Sequence, residues 1–249
     1  MLPGERAALK GVLSALRPSL SIEIGTDKGG SLELIAAHSE TVHAFDLVRA
    51  PEVTPERFPT VSFHIGDSHD LLPQVLEQLS SAERGVDFAF VDGDHTAAGV
   101  RKDLEDLLSS QTVTDTVILV HDTLNERVRA GLEQVDYSAF GKVRLVDLDF
   151  VQGRALREDG ELWAGLGIVV TGFALGPEAG GPAVYGAPEV YAGLAASARP
   201  DYEPLAEVEQ ELATQRELLS MMESSLSWRL TAPARSVSLL VRRLRSRRG

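Results

Sequence analysis

Short apolar runs alternating with segments of helical spacing constrain this chain most. The runs occupy residues 21–24, 42–45, 61–65, 86–91, 116–120, 143–148 and 167–171. Between and before them apolar residues recur every three or four positions. Leu9, Val12, Leu13 and Leu16 share one helical face. Residues 32–37, with Ser31 as N-cap, and residues 71–79 read as helices. Val100, Leu104, Leu107 and Leu108 mark another, and Leu124, Val128, Leu132 and Val135 a further one. Runs that are apolar at nearly every position suit strands covered on both faces. The pattern predicts an α/β fold over residues 1–171: a doubly wound, mostly parallel sheet with helices on both sides.

The strand ends carry the next signal. Glu23 lies near the end of the first run, and Asp46, Asp67, Asp92 and Asp122 sit at or just past the next four. Ligands bind outside the carboxyl ends of the strands in such a sheet. One acid there is ordinary loop polarity; five in successive units point to a site. The densest stretch is Val86 to His95, VDFAFVDGDH, a buried strand that stops on Asp92, Gly93, Asp94 and His95. A tight turn needs the glycine but not two carboxylates and an imidazole. Asp94 also reads as a turn or N-cap carboxylate, and His38, His43, His64 and His69 as core or surface fillers.

Composition removes several function classes. There is no cysteine, hence no disulfide framework and no thiolate nucleophile or metal ligand. A net charge of −13 argues against nucleic-acid binding. No apolar run reaches the roughly 20 residues that span a bilayer, and the first residues lack a signal-peptide pattern. A cytoplasmic protein is expected.

After the first strand comes Glu23-Ile24-Gly25-Thr26-Asp27-Lys28-Gly29-Gly30. Asp27 stands where the dinucleotide fingerprint has its middle glycine, and a carboxylate there repels phosphate. The turn suits a ligand with a cationic centre instead. The acid-x-Gly-x-x-x-Gly run of Glu23, Gly25 and Gly29 resembles that of class I S-adenosylmethionine-dependent methyltransferases, and the likeness covers about residues 20–171. It implies a Rossmann-like methyltransferase fold. It also implies S-adenosylmethionine binding by Glu23, Gly25, Thr26 and Gly29 at the turn, by Asp46 at the ribose, and by Asp67 and Ser68 near the adenine. A carboxylate roughly 20 residues past the glycine turn also fits a ribose diol on general grounds.

Asp92-Gly93-Asp94-His95 and His121-Asp122 resemble the metal-dependent O-methyltransferases, which act on catechols and on macrolide sugars. The likeness implies a divalent ion, magnesium or manganese, held by Asp92, His121 and Asp122, with His95 as general base. A sugar hydroxyl is a weak acid; a cation gripping two vicinal oxygens lowers its pKa, and a nearby imidazole can take the proton. His121 stands where the sugar enzymes carry a carboxylate, and imidazole suits softer ions than magnesium. Either the ion differs, or Asp92 and Asp122 bind it while His121 lines the site.

Residues 172–203 are rich in glycine, proline and alanine and read as a loop or linker, with Tyr185 and Tyr191 as packing points. From residue 204 the character changes again. Leu205, Val208, Leu212, Gln215, Leu219, Met222 and Leu226 keep a heptad spacing, for a coiled-coil homo-oligomer or a helix on its own domain. Beyond Pro233, Val237, Leu240, Val241 and Leu244 form a stripe among arginines, suited to the inner face of an anionic membrane or to an acidic partner; a solvated basic end is the other reading. The run SLSWRLTAPARSV resembles a tail of bacterial surface-polysaccharide enzymes. Together these predict a metal-assisted O-methyltransferase acting on a sugar hydroxyl of a surface glycan or glycolipid. A small phenolic or macrolide acceptor is the alternative within the class, and a non-catalytic assembly module the alternative outside it.

Overall fold

The computed structural model describes residues 1–157, 160–172, 182–188 and 191–192. These all belong to one compact unit, Met1–Ala198. The heptad, the basic stripe and most of the glycine- and proline-rich stretch lie outside the described residues.

In chain order the elements are α1 (Pro3–Leu16), β1 (Leu20–Ile24), α2 (Leu32–His38), β2 (Thr41–Asp46), β3 (Val61–Ile65), α3 (Ser68–Ser81), β4 (Val86–Val91), α4 (Ala97–Ser109), β5 (Val113–His121) and α5 (Glu126–Glu133). A short 3-10 turn (Tyr137–Ala139) leads to β6 (Val143–Val151), the β7 (Ala155–Leu156) and β8 (Leu162–Trp163) hairpin, β9 (Leu166–Thr171) and β10 (Ala183–Tyr185). Eight strands form one sheet in the order β10-β6-β9-β5-β4-β1-β2-β3. Pairing is parallel except around β9, which runs antiparallel to β5 and β6. The doubly wound, mostly parallel sheet expected from the apolar runs is therefore present.

Because side chains alternate across a strand, each face acquires its own core. Leu20, Ile22 and Ile24 of β1, with Ala89 and Val91 of β4, pack with Leu72, Leu76, Leu104 and Leu107 from α3 and α4. Phe88 and Phe90 point the other way and pack with Leu9 and Leu13 of α1 and Leu32 and Ile35 of α2. Glu23 and Ser21 share that second face and are fully buried.

Short polar turns carry each strand into its helix. Asp67 accepts from His69 N and caps α3, Thr96 accepts from Gly99 N and caps α4, and Asn125 accepts from Arg127 and Val128 N and caps α5. α3 thus starts three residues earlier than its apolar spacing suggests, because the cap, not the first leucine, sets the start. Ser31 makes no capping bond. Its backbone is already helical at φ −77°, ψ −42°, whereas a capping side chain needs an extended one. The hairpin and β10 were not visible in the apolar pattern. The former is two residues per strand, and the latter is an exposed three-residue strand added beside β6 within what reads as linker. No helix among the described residues is long and apolar enough to cross a membrane.

Candidate active site

A cavity of about 1030 Å3 lies along the carboxyl ends of β1 to β4. Gly25, Thr26, Asp46, Asp67, Ser68, Asp92 and His95 line it, all of them expected site residues.

The turn after β1 is built around close approach. Gly25 has φ +85°, and a side chain there would place its Cβ 2.1 Å from the backbone oxygen of Asp92. Only glycine permits this, and so the ends of β1 and β4 are brought together. Asp46 ties the turn down: one carboxylate oxygen accepts from Thr26 N at 2.9 Å and Asp27 N at 2.8 Å. The other accepts from Val48 N at 3.2 Å. Gly29, expected at the ligand, faces Val53 and Phe58 instead, where an added Cβ would come within 3.2 Å of Val53.

Glu23 sits behind this turn. Neither of its carboxylate oxygens meets full hydrogen-bond geometry, although the Ser31 and Thr26 hydroxyls stand close enough to lower its pKa. Burial, moderated by the nearby Ser31 hydroxyl and reinforced by the charge on Asp92, pushes the Glu23 carboxyl up to about 8. A buried carboxylate without a well-formed hydrogen bond costs several kcal/mol relative to a paired one, on the order of the figures for buried unpaired charge. Such an acid beneath a tight glycine turn fits a ligand that brings positive charge.

The other end of the cavity is organised oppositely. His95, on the turn after β4, has Nε2 at 3.2 Å from Asp92 Oδ1 and 3.1 Å from Asp122 Oδ2. His121, the last residue of β5, has Nδ1 at 3.1 Å from Asp92 and 3.3 Å from Asp122, and Nε2 at 3.2 Å from Glu5. Burial opposes charge on both rings, but hydrogen bonds to Asp122 and Asp92 outweigh it. They push His95 up to about 9 and, with Glu5 added, His121 up to about 12. Burial likewise works to raise Asp122, yet its bonds to the two histidines hold it well below the usual carboxylate range. Asp122 also has φ +57°, rare for a residue with a side chain, and accepts from Ala164 N at 2.6 Å. Backbone strain of this kind tends to gather at functional sites.

Single ligand atoms of Asp92, His95 and Asp122 lie within 4.8 Å of one another, the one such three-residue group among the described residues. Two oxygens and a nitrogen are a fitting donor set for a divalent ion of the manganese, iron or zinc type. His121 lies behind that group with each ring nitrogen already facing a carboxylate, and it does not line the cavity.

Three more residues belong here that sequence reasoning missed. Glu5 comes from the first turn of α1 and is 1% exposed. It accepts from Gly165 N and Leu2 N, both at 2.5 Å, as well as facing His121. Trp163 of β8 stands edge-on to His95 with ring centroids 4.9 Å apart. Arg157 lies 3.5 Å above its ring. Asp103 of α4 is fully buried and accepts from Ser68 Oγ at 2.9 Å. Glu5 reads as an ordinary first-turn helical acid, and Trp163 lies in a segment without periodicity. Asp103 alone left a clue, as an acid within the apolar stripe of Val100, Leu104 and Leu107.

A family described as "Methyltransferase domain" matches residues 22–123, from β1 to just past the Asp122 turn. No curated protein matches the sequence. Among solved structures, an O-methyltransferase from Bacillus cereus in complex with SAH is 17% identical, with TM-score 0.51, over 69% of this chain and 82% of that one. The O-methyltransferase TomG from Streptomyces achromogenes, involved in tomaymycin synthesis and in complex with SAM, is 15% identical, with TM-score 0.51, over 70% and 82%. At this identity the likeness shows a shared fold, the Rossmann-like methyltransferase fold.

Proposed function

From the methyltransferase domain matched over residues 22–123, we propose that this chain is an S-adenosylmethionine-dependent O-methyltransferase with a divalent-metal site, acting on a sugar hydroxyl of a glycan or glycolipid. One observation carries the reading: the Gly25 turn, with Glu23 buried behind it, and Asp92 and His95 of the cluster they form with Asp122 line one cavity. The first feature suits a cationic methyl donor and the second an acceptor hydroxyl that must lose a proton.

S-adenosylmethionine supplies a methyl group on a sulfonium centre, electrophilic without activation. A divalent ion held by Asp92 and Asp122 would lower the pKa of the acceptor hydroxyl and offset the pull of both carboxylates on His95. The offset matters because His95 flanked by two bare carboxylates titrates at about 9, and an imidazolium takes no proton at neutral pH. In this reading His95 is the base and not a ligand, and the ion's protein ligands are Asp92 and Asp122 alone. Of the two roles open to His121, orientation is the better supported: with Glu5 on one nitrogen and Asp92 and Asp122 on the other, it sets both carboxylates in place. Asp46 holds the glycine turn and offers its remaining lone pairs to a ribose diol. The sugar acceptor is supported by the DGDH run and the tail motif. Residues 205–226 and the basic stripe are proposed for self-assembly and for contact with an anionic membrane; cutting at Pro200 should change oligomeric state or vesicle binding and leave cofactor affinity intact.

Calorimetry with S-adenosylhomocysteine and NAD separates this reading from a dehydrogenase: tight NAD binding would sink it. A methyl-transfer screen over sugars and glycolipids, run with a panel of divalent ions and with excess EDTA, tests acceptor and metal together. Turnover should vanish in EDTA and return with manganese or magnesium. Full activity in EDTA would leave Asp92 and Asp122 as structural acids.

A further inference from the structure

Asp103 is a buried acid that the chemistry above does not use. It projects from α4, and its side chain is fully excluded from solvent. One oxygen accepts the Ser68 Oγ proton at 2.9 Å and faces His69 Nε2 at 3.5 Å. The second oxygen has no hydrogen-bond partner. It points toward Gly93, where an added Cβ would lie 3.7 Å from it. Burying a carboxylate with one oxygen unmatched is costly, so an acid here calls for a reason. Burial, against the Ser68 hydrogen bond, raises its pKa to about 6.

The consequence falls on Ser68. A hydroxyl has one proton and two lone pairs. Ser68 Oγ donates to Asp103 Oδ1 at 2.9 Å, so its proton is committed inward. Ser68 lines the cavity, and toward the cavity its oxygen can then only accept.

Sheet order says which part of the ligand meets it. The acceptor cluster is on β4 and β5, the glycine turn on β1, Asp46 on β2 and Ser68 just past β3. A methyl donor with its reactive centre at the cluster and its ribose diol at Asp46 extends its base toward the end of β3. The base edge therefore meets an oxygen that accepts and does not donate.

We propose that Asp103 is a positioning residue that fixes the Ser68 hydroxyl as an acceptor toward the cavity, so that the site selects a base with an exocyclic amine over one with a carbonyl at the same position. The proposal rests on the S-adenosylmethionine reading and deepens it. Asp103 touches no ligand; it acts through Ser68. A site oriented for a donor leaves a carbonyl facing lone pairs, and polar mismatches of this kind discriminate more sharply than differences in shape.

The test is calorimetry on the full chain with S-adenosylhomocysteine and its 6-oxo analogue, S-inosylhomocysteine. The wild type should favour the amine by about tenfold or more, the effect of one lost hydrogen bond with a charged network behind it. Asp103→Asn keeps the shape but can donate to Ser68 and free its proton for the cavity; the preference should fall toward one. Ser68→Ala, at a half-buried position that does not depend on the core, should lose the preference too. The double variant should lose no more than either alone. Equal wild-type binding of both ligands, or an unchanged ratio in either variant, overturns the proposal. A wild type that binds neither overturns the methyltransferase reading itself, which separates the two failures.

Discussion

Two buried acids behind the cavity wall, neither of them lining it, are held in opposite states. At the β1 end, Glu23 is buried with neither oxygen in full hydrogen-bond geometry, and its carboxyl is pushed up to about 8. At the β5 end, Asp122 is nearly as buried, yet it is held below the ordinary carboxylate range by two imidazoles and a backbone amide. Burial raises both; partners decide the outcome. The first has only acids, Asp92 and Asp46, as charged neighbours. The second is matched by two imidazoles. Where the two ends meet, Gly25 lies against Asp92.

The sharpest way to break this comparison is to remove the group that joins the β5 end to the cavity. His95→Ala should lower turnover by about 10²–10⁴-fold, the usual contribution of a positioned base, with S-adenosylhomocysteine affinity nearly unchanged by calorimetry. A comparable loss of cofactor affinity would mean that the two ends are not separate in function.

Glu5→Ala attacks the internal satisfaction of the β5 end. It removes one of three carboxylates around a buried imidazole, and breaking a buried pair typically costs about 3 kcal/mol. Chemical denaturation should show that loss, and Glu5→Gln should recover part of it because the amide oxygen can still accept from Gly165. An unchanged midpoint for Glu5→Ala would mean that Asp92 and Asp122 alone suffice for His121.

At the β1 end, Asp46→Ala frees the amides of Thr26 and Asp27 and removes the carboxylate offered to the ligand. Affinity for S-adenosylhomocysteine should fall by about tenfold or more, in keeping with the loss of charge-assisted hydrogen bonds. A pH-dependent effect concerns Glu23. Its folded pKa of about 8 lies above the unfolded carboxylate value, so the folded state holds the extra proton between them. The contribution of this group to stability is full below about pH 4.5 and is lost as pH rises through about 8. Thermal melting of the ligand-free protein should therefore show Glu23→Gln flattening that part of the pH profile. A parallel profile would mean that Glu23 stays ionised in the folded state.

The strands and the acids at their ends were legible for a simple reason. A buried parallel strand must be apolar along its length, so a carboxylate at its end stands out against the run, as Asp92 does after Val86 to Val91. The glycine turn was legible in the same way, since Gly25 must lack a side chain where the backbone of Asp92 approaches. Glu5, Trp163 and Asp103 were not, because their places follow from contacts between distant segments. Glu5 bonds across 160 positions to Gly165, and Asp103 reaches Ser68 over 35. His69 illustrates the limit from the other side: read as a filler, it lines the cavity beside Asp67 and Asp103.

His121 marks the boundary. Sequence alone determined that an imidazole ends β5 beside Asp122, since the strand period and the dipeptide require it. It left open whether that imidazole would face an ion or a protein carboxylate. Tertiary structure brings the first turn of α1 across the sheet, so that Glu5 meets Nε2 while Asp92 and Asp122 meet Nδ1. Side-chain types and local spacing are written along the chain. Which charges share a low-dielectric space depends on how helices and strands far apart in that chain pack together, and the protonation of each group follows from that packing.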